Sequence, residues 1–326
     1  MGRRGVEALG QVNRELVADT LEGAPGELTL DVDASIIAAG KQEAEWTYAK
    51  VKGYQPMLGY VEGVCVHHEF RAGNEAAGTG AVKFLQGCEA QLPAGKKIYV
   101  RSDSAWYQAA VMNRCWERQH TFTITADPDC AVKAAIGQIP ESGWKAYRTR
   151  EGIASDREIA ETVHSLNQSK ESFRLIVVRW KNVQPNLFEA QNYCYHAVAS
   201  NRAESESASE VRWLHNQRGE AENWHKELKL EMGMEQMPCG QQEANAVYFA
   251  IGVLAYNLSV VLKAELLPPE YRRASVATLR WKVYRLVGKL VRHARAWVLK
   301  VRAEGEKLAL LQVARQRCYE LCLNSA

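Results

Sequence analysis

The 326-residue sequence has only eight cysteines. None falls in a C-x-x-C pair or beside paired histidines at finger spacing, so neither a zinc site nor a disulfide framework is indicated. Free thiols in a reducing cytoplasm are the expectation, with Cys318 and Cys322, one turn apart, read as helix packing. The first residues, MGRRGVEALGQVN, lack the apolar stretch of a signal peptide. The longest apolar run, Ala246 to Tyr256, is shorter than a bilayer requires, so no membrane partner is expected. No glycine-rich phosphate loop of either nucleotide-binding pattern occurs, so no nucleotide cofactor is expected, and no internal repeat is found. With 23 glycines, 9 prolines, 47% apolar and 24% charged residues, the composition excludes collagen-like, low-complexity and wholly disordered chains.

One sign of charge is missing from a whole segment. Residues 271–302 hold ten Lys or Arg and no Asp or Glu, which leaves 31 basic and 38 acidic groups elsewhere behind a net charge of only +3. Such a block, interleaved with Trp281, Tyr284 and Trp297, is suited to track a polyanion, although a solvated basic helix face reads the same way.

LTLDVDAS (28–35) alternates Leu28, Leu30 and Val32 against Thr29, Asp31 and Asp33, the pattern of a strand with one polar face. PMLGYVE (56–62) and VCVHHEF (64–70), separated by Gly63, complete an antiparallel meander. A helix from Thr79 to Ala90, a strand at 96–103, a helix from Trp106 to Glu117 and a strand at 120–127 follow, giving the order βββαβαβ. That order, with acidic residues on the first strand and at the end of the fourth, matches a ribonuclease-H-like α/β layout: a mixed five-stranded sheet with flanking helices, strands one and four side by side. Residues 145–205, with β-rich stretches at 173–181 and 192–200, read as an insertion. A long helix is expected from Glu210 to Met232 and a buried, almost wholly apolar one from Ala244 to Leu266. The division expected is a short lead (1–27), the first part of the core (28–144), the insertion (145–205), a helical remainder of the core (206–266) and a helical, basic C-terminal region (267–326).

On a helical wheel, Leu214, Ala221, Trp224, Leu228 and Met232 share an arc of about 80° that faces the core. His215, Arg218, Glu222 and Lys229 fall within about 60° on an adjacent arc, with Glu220, Glu227 and Glu231 toward solvent. The plain alternative is an exposed face with an Arg218–Glu222 pair worth ~0.3–0.5 kcal/mol.

The spacing His215-x2-Arg218-x3-Glu222-x6-Lys229 resembles the Y-x2-R-x3-E-x6-K signature of DDE transposases of bacterial insertion sequences, in the group with a β-strand insertion between the second Asp and the Glu. The resemblance extends to LDVDAS around Asp33, to residues 40–62, to EFRAGN (69–74), to VRSDS around Asp103 and to ANAVYFAIGVLAYNL (244–258). It implies Asp33, Asp103 and Glu222 as catalytic metal ligands for two Mg²⁺ ions, with Mn²⁺ able to substitute, since Mg²⁺ takes oxygen donors and keeps some waters. It further implies Arg218, Lys229 and His215 as DNA contacts, Arg suiting a bidentate phosphate contact and Lys a point charge. The implied partner is double-stranded DNA, at element ends and target, bound by a homodimer that cuts and pastes.

Asp31 is the rival for the first position, because period two places it on the same strand face as Asp33. His215 stands where the signature has Tyr, Ala72 where an acidic residue often precedes Gly73-Asn74, and Ser35 where a Thr is usual. Relatives carry an N-terminal DNA-binding domain, whereas 27 residues precede Leu28 here, so terminal-repeat recognition is expected to be reduced. The rival functions are a two-metal nuclease without strand transfer and a catalytically silent DNA-binding remnant.

Overall fold

The computed structural model describes residues 2–24, 26–148, 150, 152–182 and 193–324. Strands β1 (Glu27–Ala34), β2 (Met57–Val61) and β3 (Val64–Glu69) form the antiparallel meander. Its β2–β3 turn is a two-residue one, Glu62 and Gly63 at φ 50° and 84°, the left-handed conformation that a tight hairpin requires. Strands β4 (Lys97–Ser102) and β5 (Thr121–Thr125) run parallel to β1, and β4 lies directly beside it.

The sheet does not stop at five strands. β6 (Lys145–Arg148), β7 (Ala154–His164), β8 (Phe173–Lys181) and β9 (Tyr193–Ser200) continue it antiparallel, giving nine strands in the order β3-β2-β1-β4-β5-β9-β8-β7-β6. The β-rich stretch between Asp103 and Glu222 therefore extends the core sheet through β9 on β5, with Val198 opposite Thr125 and Ser200 opposite Thr123. The expected stretches at 173–181 and 192–200 correspond to β8 and β9. The two strands before them, β6 and β7, alternate weakly and carry many charged residues, so the sequence pattern does not mark them.

Helices α2 (Ala81–Gln91) and α3 (Ala109–Glu117) cover one face, where Phe84, Leu85, Val111 and Met112 pack under Leu28, Leu30 and Val100, and a short helix, α4 (Cys130–Gly137), follows β5. Burial of such side chains contributes roughly 1.5–3 kcal/mol each. Residues 2–21, expected as part of a polar lead, form helix α1 (Gly2–Leu21). Its buried residues, Asn13, Val17 and Leu21, recur every four positions, and the helix lies along the edge strand β3.

Helix α7 (Gln242–Val261) continues as a π-helical turn to Leu266. By length and composition these 25 residues are apolar enough to cross a bilayer, which run length alone had argued against. One face only is buried: Phe249, Val253 and Tyr256 pack on Tyr54, Leu58 and Tyr60, while Ile251 and Leu258 are exposed. Its two asparagines are completely buried and serve the protein backbone. Asn257 Oδ1 accepts from Cys65 N at 2.9 Å, and its Nδ2 donates to Cys65 O at 2.8 Å and to Asn13 Oδ1 at 2.7 Å. Side chains from α1 and α7 thus satisfy the edge strand's backbone groups, which otherwise invite pairing with another chain.

The basic C-terminal region is not all helical. After helix α8 (Val276–Leu279) and a π-helical turn comes a hairpin of β10 (Val287–His293) and β11 (Ala296–Arg302), turning through Ala294 and Arg295 at φ 45° and 66°. Helix α9 (Glu306–Asn324) follows, with Cys318 and Cys322 exposed on it instead of packed. An Ala-Arg turn lacks the glycine and asparagine signals by which a hairpin is read from sequence.

Candidate active site

The site begins at the C-terminal ends of β1 and β4, the end of a parallel sheet at which ligands bind in α/β folds. Val32 is in register with Ser102, so Asp33 and Asp103 are the next residues on two adjacent parallel strands. Asp33 Oδ1 accepts from Ala34 N at 2.8 Å, and Asp103 Oδ1 from Ala105 N at 3.0 Å, capping the short 3₁₀ turn Ser104–Trp106. Burial is the largest influence on each carboxyl and pushes its pKa up. At Asp33 the Arg218 guanidinium pulls down while Glu222 adds to the rise; at Asp103 the Asp33 charge adds to the rise.

Asp31 has the same strand face but a different fate. It is 2% exposed and held bidentately by Arg101, Nε to Oδ1 at 2.7 Å and Nη2 to Oδ2 at 2.5 Å. Arg101 Nη1 also donates to Leu214 O at 2.8 Å. Its carboxylate is therefore committed inside the protein, whereas Asp33 opens to a shallow cleft of about 300 Å³ with Ser35, Glu222, His225, Lys226 and Lys229.

The expected single helix from Glu210 to Met232 is broken. Helix α5 (Ala208–Asn216) starts with the capping box that Ser207 and Glu210 make, and ends in a tight turn. Arg218 N bonds to His215 O, Glu220 N to Gln217 O and Ala221 N to Arg218 O, all three-residue spacings that lead into the first turn of α6 (Gly219–Lys226). A π-helical turn, Glu227–Glu231, then carries Lys229, closed by Met232 N to Glu227 O at 2.9 Å. Such turns recur at functional sites. The uniform wheel misplaces residues across these breaks: Glu227 reaches Lys263 at 3.7 Å and Glu231 accepts from Ala277 N at 2.6 Å, so neither simply faces water.

The four signature positions separate accordingly. Glu222 is exposed at the cleft, Arg218 Nη1 lies 3.5 Å from Asp33 Oδ2, and Lys229 Nζ donates to Ile36 O at 2.7 Å just after β1. His215, expected to contact DNA, is instead 4% exposed beneath the helix, between Thr123 Oγ1 at 3.1 Å and Thr125 Oγ1 at 3.0 Å. Burial lowers its pKa to about 3, so it is neutral and has no free face for a base or phosphate. Its hydrogen bonds fasten α5 to β5. His225 and Lys226, three and four residues after Glu222, line the cleft unforeseen; helical spacing from Glu222 was the signal that would have found them.

Buried His215 and His225, the latter lowered to about 4 by burial, set an acid limit on stability. Both folded values lie below the ordinary 6.5, so the unfolded chain binds more protons between about pH 4 and 6.5, and stability is lost as pH drops through that window. The slope from these two groups is about 3 kcal/mol per pH unit. Thermal melting followed from pH 7.5 to 5 is expected to show this steep loss, and a flat profile would refute it.

A half-buried pair of neighbouring aspartates with a glutamate beside it is an oxygen-only donor set, which suits Mg²⁺ or Mn²⁺ better than zinc. Among the described residues no three His, Cys, Asp or Glu side chains are already drawn into one ion-enclosing cluster. The fold and site together define a mixed α/β domain with acidic residues at the ends of its central parallel strands and basic residues beside them. Residues 1–317 match the family described as transposase DDE domain, group 1, and the chain belongs to that family. The match spans nearly the whole chain, including α1 and the C-terminal hairpin. No curated protein matches it. Membership implies DNA transposition, DNA binding and DNA cleavage, and enzymes of this family generally use divalent metals.

Proposed function

We propose that the chain is the catalytic core of an insertion-sequence transposase, which hydrolyses DNA phosphodiesters at element ends and joins the freed 3′-hydroxyls to target DNA as a dimer. The observation that carries this reading is the adjacency of Asp33 and Asp103 on parallel strands, with Glu222 across the cleft. Asp33, Asp103 and Glu222 are the residues that would hold two divalent ions. The chemistry such ions would supply is activation of the attacking oxygen and stabilisation of the leaving one in an in-line displacement.

The rest belongs to the protein. In the first step a water oxygen bonds to phosphorus and the P–O3′ bond breaks, leaving a 3′-hydroxyl and a 5′-phosphate. In the second, the oxygen of that 3′-hydroxyl bonds to a target phosphorus as the target's own P–O3′ bond breaks, and the proton lost by the attacking hydroxyl ends on the released target 3′-oxygen. Arg218 and Lys229 flank Asp33 and Glu222 and bring positive charge to the phosphate, Arg218 through a planar fork and Lys229 as a point charge anchored at Ile36 O. The Arg101–Asp31 pair and the His215 bonds hold the α5–α6 turn on the sheet and so place Glu222 over β1.

The test is strand transfer with pre-cleaved duplex ends and a plasmid target. Joined products that require a 3′-hydroxyl and vanish in Glu222→Gln are expected. Cleavage of intact ends with no joining under any divalent metal would assign a nuclease instead.

A further inference from the structure

The β10–β11 ribbon stands apart from the rest of the molecule. Thirteen of its fourteen residues are exposed, and its extensive contacts are between its own two strands. A lone two-stranded hairpin is marginally stable in water, so a ribbon of this length gains its order from something it meets.

Its register shows what that is. Opposed residues point to one face, so Lys289 and Lys300, which face each other directly, share a face with Arg302 and His293. Leu290, Leu299, Trp297 and Val301 lie on the opposite face with Arg292. Like charges directly opposite one another destabilise a hairpin. A single lysine is enough to discourage edge pairing, so an opposed pair is an electrostatic cost beyond that need. No acidic residue occurs between positions 271 and 302 to relieve it. Arg302 pairs with Glu304 at 2.9 Å, but among the described residues Lys289, Lys300, Arg292 and Arg295 have no ion-pair partner.

We propose that this ribbon is a second DNA-binding element, separate from the catalytic cleft, which lays its Lys289–Lys300 face against the phosphates of duplex DNA. The major groove is wide enough to admit a two-stranded ribbon, and phosphates placed between the two lysines convert their repulsion into attraction. The proposal rests on the reading that the chain handles DNA. It is independent of which residues cut, because no carboxylate of the cleft belongs to the ribbon.

The experiment is equilibrium binding of the full chain to a short duplex of arbitrary sequence, without divalent metal, across a salt series. Lys289→Gln/Lys300→Gln, surface changes that should not lower the melting temperature, are compared with wild type. Loss of two phosphate contacts lowers the slope of log K against log salt by roughly 1.8 and weakens binding by tens-fold at moderate salt. An unchanged slope in the lysine variant overturns the proposal even if the wild type cleaves DNA, whereas a reduced slope in a chain that never cleaves keeps it and removes the catalytic reading. If Trp297→Ser/Leu299→Ser lowers the sedimenting mass while the lysine variant binds DNA normally, the ribbon is an interface between copies and the proposal fails.

Discussion

Replacing Arg101 with leucine is expected to cost about 3–5 kcal/mol of folding stability, the range for removing one partner of a buried ion pair. Asp31 is 2% exposed, and both its oxygens are held by Arg101. Burial alone already pushes its pKa up against the pull of that guanidinium, so without Arg101 the carboxylate must either stay charged and unpaired or take up a proton. The same substitution strips the hydrogen bond from Leu214 O, near the end of α5, and loosens the turn that presents Arg218 and Glu222. The double variant Arg101→Leu/Asp31→Leu removes the stranded charge and should recover most of the loss. Urea unfolding of wild type, single and double variants checks this. Equal losses in single and double, or none in the single, would show that the pair is not the strut described here.

The opposite combination is expected at the cleft. Asp33→Asn, Asp103→Asn and Glu222→Gln should each lower DNA cleavage by roughly 10³-fold or more, the several kcal/mol of transition-state stabilisation that metal-held oxygens supply at 1.36 kcal/mol per tenfold. Stability should stay level or rise in the two aspartate variants, because burial and neighbouring charge already work against those carboxylates. Asparagine at 103 retains an oxygen to cap Ala105 N. Asp31→Asn, by contrast, should weaken folding while leaving the donors of the cleft in place. Cleavage rates and melting temperatures on the same four proteins separate the two aspartates of β1. If Asp31→Asn abolishes cleavage in well-folded protein and Asp33→Asn does not, their roles are reversed.

Much of this arrangement was legible because it rests on short-range pattern. The alternation in LTLDVDA marks β1, the one-residue separation by Gly63 marks the meander, and an acidic residue at the end of each of two strands marks the site once β1 and β4 are neighbours. What escaped depends on tertiary contacts. The wheel takes 100° per residue, but the tight turn at Arg218 and the π-helical turn at Lys229 reset the phase, sinking His215 and turning Glu227 onto Lys263 and Glu231 onto Ala277 of α8. Arg101 carries no sequence signal of its role, since only the fold brings it to Asp31 and Leu214. Helix α1 was hidden because part of its buried stripe is Asn13, a polar residue whose place in the core is justified by Cys65 and Asn257. The ribbon was hidden because a basic, aromatic segment without turn residues reads as a helix face.

The central claim is that Asp33, Asp103 and Glu222 form one metal-dependent catalytic unit. Conversion of supercoiled plasmid to open circle by the purified full chain, with Mg²⁺, with Mn²⁺ and with chelator, tests it most directly in wild type beside Asp103→Asn and Glu222→Gln. The expected result is nicking by the wild type with either metal, none with chelator and none by either variant. Nicking that persists in both variants, or that proceeds with chelator, would contradict the claim.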